Sequence, residues 1–352
     1  MNLRDAHFVR LNSELMPINP LEASLYERYQ IQVLAVEAAE PEEIIPHVSE
    51  CDALAVVSAS LPVPVIDSLS KCSLISRLGN GTDKIDVDAA TRKGIIVSNV
   101  PTFCNAEMAD NVMAFLLALN RRIPRMNRYM LAGDYMKARV EGLGLSRISG
   151  QTLGLIGFGA SAKAVVERAK PFGLKILATR KNMSTPQDEA VSLGVEIVDL
   201  ESLLQRSDYI SLHLPLDDTS YQLLDRNALA QMKPGACLIN TSRGAIIDEE
   251  ALADLLEKGH LGGAGLDTFE VIDIFSGKET PPDHPLTRLD NVILTPHVSG
   301  LSVEASQEVT TTGIENLVSV LNEKMPNPNS IVNTGVVPRF PLGEHDPEIF
   351  IT

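Results

Sequence analysis

The sequence predicts an α/β fold of two doubly wound parallel-sheet domains, and three observations carry that prediction. The chain has 352 residues, more than one core ordinarily encloses, since single cores seldom grow past roughly 250 residues. Short β-branched or apolar runs alternate with longer helical patterns, separated by Gly, Asp or Pro, which is the rhythm of strands joined by crossover helices. A glycine-containing loop, Gly157-Phe158-Gly159, joins one such run to a helical pattern near the middle of the chain.

Taken in order, the first third offers strands over 53–57, 74–77 and 95–98, then a long buried helix over 106–121. The Gly- and Ser-rich stretch 142–150 marks a change. A second series of strands follows, over 152–156, 175–178, 196–198, 209–213, 236–240, 263–267 and 291–295, long enough for a complete doubly wound sheet. A further helix is expected over about 303–321. The Pro- and Asn-containing tail from Met325 reads as surface-bound or partly disordered.

Composition narrows the function. Hydrophobic residues make up 44% and charged residues 22% of the chain, and no stretch approaches the roughly 20 continuous apolar residues of a membrane span. Met1 to Arg10 shows neither a secretory signal nor an Arg-rich transit pattern, so a cytoplasmic protein is expected. Cys51, Cys72, Cys104 and Cys237 lack metal-ligand spacing and read as reduced, buried thiols. A net charge of -16 opposes nonspecific nucleic-acid binding. An anionic ligand must therefore be held by local groups.

Leu153 to Ile156 feeds Gly157-Phe158-Gly159-Ala160-Ser161-Ala162, and Ala164, Val165 and Ala169 follow at helical spacing. This is a dinucleotide-binding fingerprint in its strand-to-helix context. Gly157 permits the tight turn, Gly159 lets the backbone approach a pyrophosphate, and Ala162 allows close helix packing. Free N–H groups at the helix start, from Ala160 and Ser161 onward, would face the phosphates. The next strand ends at Arg180-Lys181, where a carboxylate would select the ribose diol of NAD. A guanidinium there can hold a 2′-phosphate, so NADP is favoured over NAD. In the alternative, Arg180 stacks on the adenine and either cofactor serves.

Several segments together resemble one family: Arg77-Leu78-Gly79-Asn80-Gly81-Thr82-Asp83, the glycine loop, Ile239-Asn240-Thr241-Ser242-Arg243-Gly244, Gly265-Leu266-Asp267-Thr268-Phe269-Glu270, and Leu294-Thr295-Pro296-His297. In this order they resemble the D-isomer-specific 2-hydroxyacid dehydrogenases. The resemblance implies two Rossmann-like domains with a cleft between them. Residues 1–102 plus 300–335 would bind substrate, 103–299 would bind coenzyme, 336–352 would form a tail, and the protein would be a homodimer. It implies hydride transfer between a nicotinamide dinucleotide and a small 2-keto acid and 2-hydroxy acid pair, as in a hydroxypyruvate or glyoxylate reductase. Arg243 would grip the substrate carboxylate, His297 would be the acid/base, and amides around Asn80 and Gly81 would bind the carboxylate's other side. Asp267 would hold the nicotinamide carboxamide, with further cofactor contacts at Leu214, Pro215, Thr219, Thr241, Ser242, His297 and Gly300.

Read without the family, Arg243 could be a salt-bridged structural arginine and His297 a hydrogen-bonded core residue. Their places at the carboxyl ends of expected parallel strands favour chemistry. One position departs from the pattern. The family's catalytic Glu, five residues beyond the Asp, is replaced by Ile272. Glu270 and Asp273 are the nearby acids; Glu270 points the same way as position 272 in an extended segment, and it is favoured as the partner of His297. Alternatively both are solvated loop carboxylates. The missing Glu also keeps two other functions open, a dinucleotide-sensing interaction protein with weak catalysis and oxidation of a formate-type hydride donor.

Overall fold

In the computed structural model, which describes residues 6–14, 16–272 and 282–350, the chain divides into two compact units. One comprises Met1–Phe103 and Ser302–Thr352, and the other Cys104–Leu301. The first unit begins with β1 (Phe8–Leu11), α1 (Pro20–Arg28), β2 (Val33–Val36), α2 (Pro41–Val48), β3 (Ala53–Val56), α3 (Val63–Ser68), β4 (Leu74–Arg77), α4 (Val87–Arg92) and β5 (Ile96–Ser98). Its strands pair in parallel in the order β2-β1-β3-β4-β5. Buried apolar residues of α2, α3 and α4 pack on one side of this sheet.

Neither of the first two strands is among those expected: β1 is interrupted by a charge, whereas β2 is the wholly apolar run Val33-Leu34-Ala35-Val36. Arg10 lies inside β1 and is fully buried, because Glu22 on α1 accepts from its Nε at 3.1 Å and the carbonyls of Leu11 and Met16 accept from its other nitrogens. A buried charge survives only with such complete pairing. β2 is an edge strand whose Leu34 is exposed.

The second unit contains α5 (Asn105–Asn120), α6 (Ile123–Ala132), α7 (Tyr135–Gly142), β6 (Thr152–Ile156), α8 (Ala160–Ala169), β7 (Lys175–Thr179), α9 (Asp188–Ser192), β8 (Val195–Ile197), α10 (Leu200–Arg206), β9 (Tyr209–Leu212), α11 (Arg226–Gln231), β10 (Cys237–Asn240), α12 (Glu249–Glu257), β11 (Gly263–Leu266) and β12 (Val292–Leu294). Its parallel sheet runs β12-β11-β10-β9-β6-β7-β8. The order reverses between β6 and β9, and ligands of open α/β sheets bind at such a switch point. Helices α5 and α8 share one core, and α10, α11 and α12 the other. Asp199, Asp225 and Asp248 start α10, α11 and α12 by accepting from backbone amides of the first turn.

The chain then returns to the first unit through α13 (Val303–Leu321), capped by Ser302. Together with α1 it covers the other side of the first sheet. The segment from Met325 lies on this unit. Asn333 is buried, bonding Val97 N, Ile95 O and Thr91 Oγ1, while Arg339 donates to the carbonyls of Lys93 and Ser70. Phe350 stacks on Tyr29 at 5.2 Å. All four cysteines are buried and outside any disulfide, and among the described residues no helix is long and apolar enough to cross a membrane.

Candidate active site

Because the second sheet is wholly parallel, its strands end on one edge, and almost every residue singled out in the sequence lies along it. After β6, Gly157 takes a φ of +98°, and a Cβ there would fall 2.2 Å from His213 O. Only glycine suits both the left-handed backbone and that approach. Gly159 is exposed, and a Cβ on it would meet nothing within 4 Å, so its open side can admit a ligand. It precedes α8 with no side-chain cap, leaving first-turn amides available for an anion.

The next strand end presents Arg180, half-buried, whose Nη2 donates to Thr185 O and Pro186 O while its buried Nε has no hydrogen-bond partner among the described residues. Lys181 is exposed and donates to Thr219 Oγ1 at 3.1 Å. Thr219 in turn donates to Asp217, holding that carboxyl below its usual range. Leu214, half-buried, and Pro215, exposed, follow β9 beside this group; Pro215 O accepts from Ser220 Oγ at 2.8 Å.

At the end of β10, Asn240 shapes the turn by donating to Arg243 O and accepting from Ser242 N. Ser242 Oγ donates to Leu212 O, fastening this end to that of β9. Arg243 is half-buried, with Nη1 donating to Ser242 O at 2.8 Å. Thr241 is buried and its Oγ1 has no partner among the described residues, a polar atom at the strand edge that a ligand can satisfy. The alcohol of Thr268, after β11, is in the same condition. Glycine-loop amides, two cations and orphaned hydroxyls on one edge suit the phosphates and polar groups of a dinucleotide.

Asp267 is fully buried at the end of β11 and accepts from Thr295 Oγ1 at 2.5 Å and from the amides of Val298 and Ser299 at 2.9 Å. Its carbonyl accepts from His297 N at 2.9 Å. His297 therefore rides on a loop tied to Asp267 at both backbone and side chain. Its φ of +55° is an uncommon left-handed conformation for a side chain of this size, held by those bonds. Gly300 approaches Cys104 nearby; a Cβ there would lie 3.1 Å from Cys104 Sγ.

Sequence reasoning missed Glu249. Gly244 packs so tightly on the following loop that a Cβ would lie 2.1 Å from Phe269 C, and Glu249, buried on α12, accepts from the amides of Glu270 and Val271. Burial pushes the Glu249 carboxyl above its ordinary range, against the lowering effect of those amides. The chain after Arg243 and the loop after β11 are thereby fastened together. Glu270 contributes its amide to this fastening, while the residue is exposed; Ile272 is half-buried. Asp273 lies outside the described residues. The only signal for Glu249 was its place in the first turn of α12, where an acid reads simply as a favourable dipole partner.

In the first unit, Arg77 donates to Gly81 O and Asn99 to Asn80 O, shaping the turn after β4. The amides of Asn80 and Gly81 donate to no described residue. A groove of about 870 Å³ opens at the amino ends of β6, β7 and β8, lined by Lys175, Glu196 and Arg206 among others. It is on the opposite edge from the glycine loop, away from these residues.

Residues 113–299 match the family model described as D-isomer specific 2-hydroxyacid dehydrogenase, NAD binding domain. The glyoxylate reductase of Korarchaeum cryptofilum is 36% identical over 324 residues, covering 91% of this chain and 95% of that protein. The D-3-phosphoglycerate dehydrogenase of Methanocaldococcus jannaschii is 36% identical over 312 residues, covering 88% of this chain, which spans 57% of that protein's length. Among solved structures, an NADPH-dependent glyoxylate/hydroxypyruvate reductase from Sinorhizobium meliloti superposes with a TM-score of 0.77 at 25% identity, covering 95% of this chain and 99% of that one.

Proposed function

Because the chain belongs to the D-isomer-specific 2-hydroxyacid dehydrogenase family, we propose that it reduces a small 2-keto acid to its D-2-hydroxy acid and catalyses the reverse oxidation. Glyoxylate and hydroxypyruvate are the first substrates to test. The observation that carries this reading is the placement of Arg243, Asp267 and His297 at the ends of neighbouring strands β10, β11 and β12, in the sheet that also bears the glycine loop.

When bound, the nicotinamide supplies the hydride for reduction and takes it up in oxidation. Arg243 grips the substrate carboxylate with its planar fork and draws charge from the carbonyl. His297 gives a proton to the carbonyl oxygen during reduction and removes it in the reverse direction. Asp267 positions His297 through its loop, and its remaining acceptor capacity is assigned to the nicotinamide carboxamide. Asn80 and Gly81 offer uncommitted amides for substrate carboxylate binding. Glu270 is the carboxylate we assign to His297 in place of the one lost at Ile272.

NADP is the proposed cofactor. The end of β7 carries Arg180 and Lys181 where NAD selectivity needs a carboxylate, and the unpartnered Nε of Arg180 is a donor awaiting an acceptor. A homodimer is proposed from the apolar side chains exposed on α6 and α7 and just beyond, above all Leu131, Met136 and Leu143. Four cysteines outside any disulfide suit the reducing cytoplasm.

Initial rates with NADPH and NADH across glyoxylate, hydroxypyruvate and larger 2-keto acids test the reading. Turnover is expected, with NADPH preferred, and Arg243→Ala should lower kcat/KM by about 100-fold or more. Tight dinucleotide binding without turnover of any keto acid would turn the reading into that of a sensor, and a tenfold preference for NADH would overturn the cofactor assignment.

A further inference from the structure

Within the glycine loop, the fifth residue is a serine, and its hydroxyl is wired to the interior. Ser161 Oγ lies 3.2 Å from His213 Nδ1, and His213 Nε2 lies 2.9 Å from Ser211 Oγ. Ser211 on β9 is fully buried and His213 nearly so, while Ser161 is half-buried at the start of α8. Among the described residues the imidazole is the one hydrogen-bond partner of each hydroxyl.

Two neutral tautomers are available, and their consequences differ. With the proton on Nε2, the ring donates to Ser211 Oγ, and the Ser211 hydroxyl proton is left in a solvent-free interior without an acceptor. Such an orphan is costly. Nδ1 would then consume the Ser161 proton as well. With the proton on Nδ1, Ser211 donates to Nε2, Nδ1 donates to Ser161 Oγ, and every buried donor is used. The Ser161 hydroxyl proton is then free. It sits in the first turn of α8, beside the open face of Gly159 and the uncapped amides.

On the reading that this loop binds a dinucleotide, we propose that Ser161 is a side-chain donor to the pyrophosphate, and that Ser211 and His213 are positioning residues that select the tautomer leaving its proton free. Burial keeps the imidazole neutral, pushing its pKa down to about 4, so one ring nitrogen remains an acceptor at physiological pH. A cationic ring would donate from both nitrogens and leave the Ser211 proton unpaired. The relay thus supplies a directed hydroxyl in a chain whose net charge disfavours anions.

Two measurements test this. Long-range proton–nitrogen spectra of the ligand-free protein with labelled histidine, assigned with His213→Gln, should show His213 protonated on Nδ1; protonation on Nε2 would overturn the relay. Calorimetric titration with NADPH should show Ser161→Ala weakening binding by about tenfold, with Ser161→Thr retaining affinity. Ser211→Ala should weaken binding in the wild type yet add nothing in the Ser161→Ala background, a coupling that simple loosening of the core would not produce. Unchanged NADPH affinity in Ser161→Ala overturns the inference. Failure of the wild-type protein to bind NADPH or NADH overturns the functional reading instead, which the ligand-free spectra separate from the relay.

Discussion

At the scale of single residues, His213 and Glu270 make opposite cases. Burial lowers the His213 pKa to about 4, against about 6.5 for an unfolded histidine. As pH falls, the unfolded chain takes the proton first. The stability this group confers is whole above pH 6.5 and is lost as pH drops through about 4, about 3 kcal/mol in all. Urea unfolding at neutral pH and near pH 4.5 should show His213→Gln losing distinctly less stability on acidification than the wild type. Glu270, by contrast, is exposed, and its assignment rests on a carboxylate raising the pKa of His297. On the proposed mechanism reduction uses the protonated imidazole of His297, so Glu270→Gln should move the alkaline fall in kcat/KM to lower pH by about one unit. An unmoved limb removes Glu270 from the role. Both residues were visible as types in the sequence, but whether each is buried or exposed was not.

Among the elements, most strands with apolar runs and the two long helices α5 and α13 were readable within a residue or two: β4, β6 and α13 have the expected bounds, and β9 stops one residue early, at Leu212, whereas the apolar edge strand β2 was missed. β1 was not readable because Arg10 interrupts it, and the carboxylate that neutralises Arg10 comes from α1. The loop after β11 shows the same limit. It is held by Glu249 of α12, whose carboxylate bonds two amides of that loop. Glu249→Ala leaves both amides without their acceptor, at a cost of about 1–3 kcal/mol. It should also lower kcat, since the same fastening abuts the Arg243 turn through Gly244. Chemical denaturation beside steady-state kinetics checks this, and wild-type values in both would show that the fastening is dispensable.

For the molecule as a whole, the decisive property is sheet order. In the second unit the reversal between β6 and β9 puts the glycine loop beside His213, and the run β9-β10-β11-β12 brings Ser242, Arg243, Asp267 and His297 onto successive strand ends. The exposed apolar side chains of α6 and α7 are a second whole-molecule feature. If they form the face of a two-fold dimer, sedimentation should find a dimer for the wild type and a monomer for Leu131→Asp paired with Val140→Asp. A monomeric wild type would remove the dimer from the proposal. The sequence alone disclosed the α/β class, the glycine loop and the family, and singled out Arg243 and His297 as candidates, because each depends on local spacing or on a motif of neighbouring residues. Tertiary structure alone decided that Asp267 fastens the His297 loop, that Glu249 fastens the loop after β11, and that His213 joins Ser161 to Ser211. Those contacts join strand ends to the helices and loops that follow other strands, and it is the order in which parallel strands pair that makes them neighbours.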